Sequence, residues 1–437
     1  MRVAFWFMKQ SQAMTILMSG RSVFLTGAPG AGKSYLLSKF VQNAISKGRK
    51  VAVTASTGIA ATHISGSTIH SWSQIGIKES LDSKDLAAFG RRGKLISRFL
   101  NTDVLVIDEV SMLSGNFLSM LDTLAKELRR DHRPFGGLQM VLVGDMFQLP
   151  PVSRSSSDFD FAHESSAWKD LDPLVCYLDE QHRQGDDGLL AVLEAMRRGT
   201  LNDDHIALLE ARRRIRPPAE EEVTRLFAHN VDVDSINHRR LALLGGTSAS
   251  FDMRPRGPSA AVEQLAKRIL APGHLELKVG AEVMFVANDP SKAFANGSRG
   301  RVARFEQGRV VVELADGHRE INVSPYLWQH TEDDEVVAEI SQLPLRLAWA
   351  ITIHKSQGMS IDSAEVDLSR TFAPGMGYVA LSRLRSLDGL YIKGMNSMAL
   401  VLNDQIFELD ERLRAASDAL AESTSEYGDE GALSDSD

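Results

Sequence analysis

The chain has 437 residues, 43% apolar and 24% charged, the composition of a globular protein of about two to four domains. Cys176 is its lone cysteine, which excludes an internal disulfide framework and a cysteine-built zinc site, and no apolar run approaches the roughly 18 residues that cross a bilayer. The net charge of −8 is local: Asp404–Asp437 holds eleven acidic residues against Arg412 and Arg414, so the remainder is near neutral and its charge neither supports nor excludes a nucleic-acid groove.

Met1–Met8 is apolar, but Lys9 closes it without a cleavage pattern, so it reads as an edge strand or an extended start. Ser22–Thr26, Lys50–Thr54, Val104–Ile107 and Gln139–Val143 are short, apolar and partly β-branched, which predicts buried parallel strands. Helical patterns lie between them, over Ser34–Lys47 and Gly115–Arg130, and this alternation predicts an α/β fold with a covered parallel sheet. Pro150-Pro151 ends the series, and Ser153–Ser157 is a polar connection. Helical periodicity resumes at Leu189–Arg198 and Ile206–Arg214. A second strand-and-helix unit starts at Arg225–Ala228 and Val233–Leu244.

Gly245–Pro258 reads as a loop or small insertion. Leu275–Val286, Gly300–Phe305, Arg309–Leu314 and His318–Val323 read as strands turned at Asn296-Gly297, Gln307-Gly308 and Asp316-Gly317, a small barrel-like insertion. The α/β pattern returns at Ala348, and the Ser-rich acidic end is expected to be disordered. Basic clusters at Arg91–Arg98, Arg129–Arg133 and Arg212–Arg216 read as solvated helix faces before they read as nucleic-acid contacts.

The strongest chemical signal is Gly27-Ala28-Pro29-Gly30-Ala31-Gly32-Lys33-Ser34, a P-loop pattern between a strand and a helix. Its backbone N–H groups are suited to cradle phosphates, Lys33 to neutralise them and Ser34 to ligate Mg²⁺. Val104–Glu109 is an apolar strand ending in two carboxylates: Asp108 is a candidate for Mg²⁺, and Glu109 for polarising the attacking water. Gln148, just past a strand end, suits sensing of the γ-phosphate, with a backbone-bonding loop glutamine as the alternative. Arg183 and Arg383 are candidates for the positive charge that phosphoryl transfer requires, each equally readable as a surface ion-pair arginine.

Eight blocks in order resemble the Pif-type (petite integration frequency) helicases, which belong with RecD-like enzymes in superfamily one. They are GAPGAGKS at Gly27, VAVTASTGIAA at Val51, GSTIHSW at Gly66, VLVIDEVSM at Val104, PFGGLQMVLVGDMFQLPPV at Pro134, EQHRQ at Glu180, LAWAITIHKSQG at Leu347 and YVALSR at Tyr378. The resemblance implies two RecA-like P-loop NTPase motor domains, with a small SH3-like β-barrel insertion in the second. The implied bounds are 1–175, with a short wedge at about 73–100, and 176–272 with 324–402; the insertion is 273–323 and the acidic tail 403–437. It implies ATP and Mg²⁺ as cofactors, 5′ to 3′ movement on single-stranded DNA, unwinding of forked DNA, and a monomeric motor in a bacterial or phage-like, nucleoid-associated cytoplasmic setting.

By the same resemblance Gln12 reads adenine, Gly358 belongs to the nucleotide-binding set, and Arg183 and Arg383 are paired arginine fingers. Thr57, His70 and Trp72, with His354, Lys355, Ser356 and Gln357, line the DNA path. Trp72 suits base stacking, with a core tryptophan as the alternative that the preceding Thr68, His70 and Ser71 weigh against; His354 is also readable as a core histidine. Asn296–Gly300 resembles a turn of the SH3-like insertion. The wedge is short, and the acidic tail, which has no counterpart in the family, is expected to be a solubilising end or a contact for another protein. The alternatives are a DNA-stimulated translocase without strong unwinding, and a nucleotide switch that acts by binding a partner.

Overall fold

The structure is a computed structural model; it describes residues 8–64, 66–76, 78–151, 159–179, 187–218, 223–289, 291, 293–294, 297–306, 308–314, 319–332, 335–359 and 361–426. Six short runs form one parallel sheet: β1 (Val23–Gly27), β2 (Val51–Ala55), β3 (Ser67–Thr68), β4 (Val104–Asp108), β5 (Gln139–Val143) and β6 (Leu174–Leu178). Their order is β3-β2-β4-β5-β1-β6. All five residues of β1 and of β5 are buried, which is why their sequences run apolar without alternation. Because β5 pairs with both β1 and β4, the C-terminal ends of these three strands adjoin, the place where open parallel sheets bind ligands. Met8 forms a single bridge to Leu178 beyond the sheet edge; the rest of the apolar start lies outside the described residues.

Among the described residues, the α-helices of this stretch of chain are α1 (Gln10–Met18), α2 (Lys33–Ser46), α3 (Gly58–His63), α4 (Ile69–Ser73), α5 (Ser83–Phe89), α6 (Gly93–Leu100), α7 (Gly115–Arg129), α8 (Ser166–Leu171), α9 (Asp187–Arg197) and α10 (Asp203–Arg214). The wedge region read from sequence holds α5 and α6. The basic clusters contain structural members: Arg129 donates to the carbonyls of Gly136, Thr102 and Phe99, and Arg98 to that of Trp72.

The second sheet begins with β7 (Thr224–Phe227), followed by α11 (Asn230–Leu243). An antiparallel region comes next: β8 (Ala249–Asp252), β9 (Arg254–Arg256), α12 (Ser259–Arg268), β10 (His274–Leu277), β11 (Glu282–Phe285), β12 (Arg299–Glu306), β13 (Arg309–Leu314), β14 (Glu320–Val323), β15 (Tyr326–Glu332), β16 (Glu335–Gln342) and β17 (Leu345–Leu347). Then β18 (Ala350–Thr352), the single turn α13 (Ile353–Ser356), β19 (Ala364–Leu368), α14 (Met376–Ser382), β20 (Leu390–Met395) and α15 (Asp404–Glu426) complete the chain. Strands β18-β7-β19-β20 form a four-stranded parallel sheet. The side chain of Asn237 on α11 bonds both the N–H and the carbonyl of Ala350, tying helix to sheet.

Strands β14-β13-β12-β11-β17 form a five-stranded antiparallel sheet over a core that includes Val283, Phe285, Val302 and Val312. Two expectations are corrected here. Of the two readings of Gly245–Pro258, a plain loop is excluded, since the stretch contains β8 and β9; Gly257 (φ +119°) lies against the β16 backbone, where a Cβ would sit 2.4 Å from the Val337 carbonyl. The antiparallel strands also continue past Val323, through β15 and β16 to β17, which pairs with β11.

The acidic tail is corrected as well: residues 404–426 form the 23-residue α15. Ile406, Leu409, Leu413, Ser417 and Ala421 recur at helical spacing and are buried, while Glu408, Glu411 and Glu422 face outward. Residues 427–437 lie outside the described residues.

Two compact units result, one of Met1–Glu210, Thr371–Leu387 and Ser397–Asp437, the other of Ala211–Arg370 and Asp388–Asn396. Thus α9, α14 and α15 pack with the first sheet, a grouping different from the sequence-based boundaries. Within the first unit Gly377 permits close approach of α14 to the following segment, because a Cβ there would sit 1.7 Å from the Ala399 carbonyl. Among the described residues no helix is long and apolar enough to cross a membrane.

Candidate functional site

Gly27 ends β1, and Gly32 caps α2 in a left-handed conformation (φ +85°) that favours glycine. A Cβ on Gly27 would sit 2.4 Å from the Leu178 carbonyl, so the loop can pass only with glycine there. The Lys33 ammonium lies inside the loop, donating to the carbonyls of Gly27 at 2.7 Å and Ala28 at 3.0 Å. Burial pushes its pKa down, and Asp145, Glu109 and Asp108 act against that shift. Ser34 is exposed in the first turn of α2.

Asp108 is the last residue of β4, and its carboxylate accepts the Glu109 N–H at 2.9 Å. Burial, then the neighbouring Glu109 carboxylate, push the Asp108 carboxyl up to about 7. Glu109 has φ +52°, a left-handed conformation that costs a non-glycine residue about 1–3 kcal/mol and is typical of functional turns. Gln148 is buried in the turn after β5, and its N–H donates to the Asp145 carbonyl at 3.0 Å. The N-terminus of α14 abuts this turn: Gly375 (φ +81°) sits where a Cβ would be 2.9 Å from the Phe147 carbonyl.

Arg383 follows α14 and is buried, with Nε donating to the Val379 carbonyl at 3.0 Å and Nη2 to the Ser382 hydroxyl at 2.8 Å. Arg183 lies outside the described residues. Gln12 on α1 accepts the Lys9 N–H at 3.0 Å and donates to the Ala421 carbonyl at 3.1 Å.

The sequence reading missed Arg197, the last residue of α9. Its guanidinium is buried, bonded to Asp145 at 2.7 Å and to the Tyr378 hydroxyl at 2.8 Å, with its Cζ 4.6 Å from the Phe147 ring centroid. Tyr378 donates in turn to the other Asp145 oxygen at 2.9 Å. Burial pushes the Asp145 carboxyl up, but Arg197 and Lys33 outweigh it and hold the group below the usual carboxylate range. A signal for Arg197 was present: Leu189, Leu193 and residue 197 share one helix face, so the arginine had to point inward with the leucines.

The sequence model for "PIF1-like helicase" matches residues 8–197. The ATP-dependent DNA helicase Pif1 of Psychrobacter sp. (strain PRwf-1) is 39% identical over 93% of this chain and 71% of its own length. The chain belongs to the PIF1-like helicase family. The crystal structure of the Pif1 helicase from Candida albicans is similar at 34% identity and a TM-score of 0.84, over 92% of this chain and 98% of that one. Pif1 helicase from Bacteroides, solved in complex with ADP-AlF3 and ssDNA, matches at 28% identity and a TM-score of 0.74, over 94% and 99% of the two chains. The chain spans 64% of the Xenopus laevis relative, to which it is 36% identical.

In this PIF1-like helicase the residues assigned to DNA divide by exposure. In the first unit Thr57 accepts the Ala60 N–H at the start of α3, and the half-buried His70 ring lies 4.2 Å from Phe117. Trp72 is corrected: it is only 8% exposed and packs on Phe99 at 4.6 Å between ring centroids, so it fills the core and offers no stacking face. In the second unit Ser356 is corrected too: it is fully buried and its hydroxyl donates to the Ile353 carbonyl at 2.7 Å. Gln357 is buried as well, whereas Gly358 is exposed at φ +79°.

His354 is half-buried and its pKa is lowered by burial and by His229. Lys355 faces a cavity of about 570 Å³ that is also lined by Asn230, Asp234, His238 and Arg346. Burial and the nearby Arg346 push the Lys355 ammonium down to about 8.

Proposed function

We propose that this PIF1-like helicase hydrolyses ATP with Mg²⁺ and uses the cycle to move 5′ to 3′ along single-stranded DNA, unwinding duplex ahead of it. One observation carries the reading: the Gly27–Ser34 loop, the Asp108-Glu109 pair and the Gln148 turn follow three adjoining parallel strands. The complex of the Bacteroides relative with ADP-AlF3 and ssDNA supports both ligand classes, and the polarity rests on the family resemblance.

In this reading the loop N–H groups and the α2 N-terminus cradle the phosphates, and Lys33 leaves its carbonyl partners to meet the β- and γ-phosphates. The buried Asp108 carboxyl at the end of β4, pushed up to about 7 by burial and then by the Glu109 carboxylate, and the Ser34 hydroxyl in the first turn of α2 are oxygen donors of the kind that fits a hydrated divalent cation. Ser34 and Asp108 would hold that ion, which supplies charge neutralisation on the phosphates. Glu109 orients and deprotonates water, and Gln148 registers the γ-phosphate. Arg383 exchanges its own-helix acceptors for the transferring phosphoryl group, with Arg183 as its pair. Loss of the γ-phosphate removes that attraction, and the difference in nucleotide affinity between closed and open states drives each step.

Gln12 reads adenine, and His354, Lys355, Thr57 and His70 contact the DNA strand. The two parallel sheets serve as the cores of the two motor domains, and the five-stranded antiparallel sheet is the counterpart of the SH3-like insertion. The test is ATP turnover of the full chain with and without single-stranded DNA. Wild type is stimulated by DNA and Lys33→Ala is inactive in both conditions; turnover retained by Lys33→Ala contradicts the site.

A further inference from the structure

Arg197 does more than neutralise Asp145. Its Nη2 donates to the Tyr177 hydroxyl on β6 and to Asp410 on α15, the latter at 3.2 Å. Tyr177 donates to the same Asp410 oxygen at 2.9 Å. Arg414, one turn further along α15, holds the other Asp410 oxygen at 2.8 Å, the Tyr177 hydroxyl at 2.6 Å and Asp179 at 3.0 Å. The C-terminal helix therefore reaches the Gln148 turn through one planar side chain.

A guanidinium is a rigid fork, so fixing one arm sets the direction of the other. Asp410 and Tyr177 fix the Nη2 arm; the Nη1 arm then sets Asp145. Asp145 in turn shapes the sensor loop, since its carboxylate accepts the Phe147 N–H at 3.1 Å and its carbonyl accepts the Gln148 N–H. Tyr378 connects the same carboxylate to α14, the helix that ends at Arg383. Every member of this chain of bonds is inside one compact unit. The network is largely dry, where charge-assisted bonds are strong and small displacements are costly.

We propose that Asp410 of the C-terminal helix is a positioning residue for ATP hydrolysis, acting through Arg197 on the Asp145 turn that aims Gln148. The inference rests on the reading of this site as an ATPase. It assigns α15 a part in catalysis that its acidic sequence does not suggest. Asp410 touches none of the reacting groups, so its loss affects the rate of the chemical step and leaves ATP binding in place.

The experiment is a double-substitution cycle on the full chain, D410N with R197K, reading kcat and KM for ATP at saturating oligo-dT alongside the melting profile. A lysine cannot span two carboxylates, so both single variants are expected to lose about ten-fold in kcat, the effect of one weakened charge-assisted bond, with KM changed by less than about two-fold. The double variant falls no further than R197K alone, because both changes break the same connection. If R197K does not fold, Y177F takes its place in the cycle, with the same expectation.

Wild-type kcat in D410N, a loss seen in KM alone, or losses that multiply in the double variant overturn the proposal. Absence of DNA-stimulated turnover in wild type overturns the ATPase reading and the proposal with it. Normal wild-type turnover that Lys33→Ala abolishes, with D410N unaffected, overturns the proposal alone.

Discussion

The side-chain amide of Gln12 donates to the main-chain carbonyl of Ala421 at 3.1 Å, joining the first described helix to the last. A second tie lies a turn away along α15, where the Ser417 hydroxyl accepts the buried Tyr177 N–H at 2.9 Å. The C-terminal helix is therefore an integral layer of the first unit. Ser417→Ala leaves that N–H without its acceptor and is expected to cost about 1–3 kcal/mol of stability. Urea unfolding monitored by circular dichroism checks this, and an unchanged midpoint contradicts the tie.

Trp72 packs on Phe99 and is expected to matter for folding rather than for DNA. Trp72→Leu lowers the melting temperature while affinity for single-stranded DNA stays within about two-fold. A base stacked on an aromatic contributes about 1–3 kcal/mol, so a role in stacking would show as a loss of about ten-fold or more in a fluorescence-anisotropy titration.

Lys355 gives a pH dependence whose sign follows from its environment. With the ammonium pushed down to about 8, it is charged below that pH and neutral above it. Phosphate binding favours the charged form, so DNA affinity falls as pH rises from 7 to 9. Lys355→Met removes this fall and reduces the salt dependence by about one phosphate contact. A variant that keeps the wild-type pH profile contradicts the contact.

Arg383→Ala keeps ATP binding but loses hydrolysis, by about three powers of ten or more if the arginine acts as a finger. Nucleotide binding by equilibrium titration and turnover at saturating DNA separate the two effects. Wild-type turnover rules out the finger and leaves Arg383 as a capping residue of α14.

Cys176 is buried on β6, and burial pushes its thiol up to about 12, so almost no thiolate exists at pH 8. A thiol-exchange reagent is expected to label it only on unfolding; rapid labelling of the native chain contradicts the packing of β6 between β1 and α15.

Legibility in the sequence followed the length and clarity of each pattern. Strands β1, β4 and β5 are buried on both faces, so their residues are continuous apolar runs that lead directly into the phosphate loop, the acidic pair and the Gln148 turn. Trp72 was misread because α4 is only five residues long: Thr68 caps it, Ser71 faces out, and the inward positions Ile69, Trp72 and Ser73 are too few to reveal a period. In α15 the acidic composition obscured a regular apolar stripe. Arg197 was passed over because a lone arginine at a helix end ordinarily faces solvent; its place on the Leu189 and Leu193 face pointed inward, and its buried partners from β6, α14, α15 and the Gln148 turn are what make that position tolerable for a charge.

The most direct test of the account is ATP-dependent strand separation on two partial duplexes, one with a 5′ single-stranded tail and one with a 3′ tail. The account predicts unwinding of the 5′-tailed substrate alone, abolished by Lys33→Ala. Unwinding of only the 3′-tailed substrate contradicts the polarity, and unwinding of neither, with ATP turnover still stimulated by DNA, contradicts the helicase activity itself.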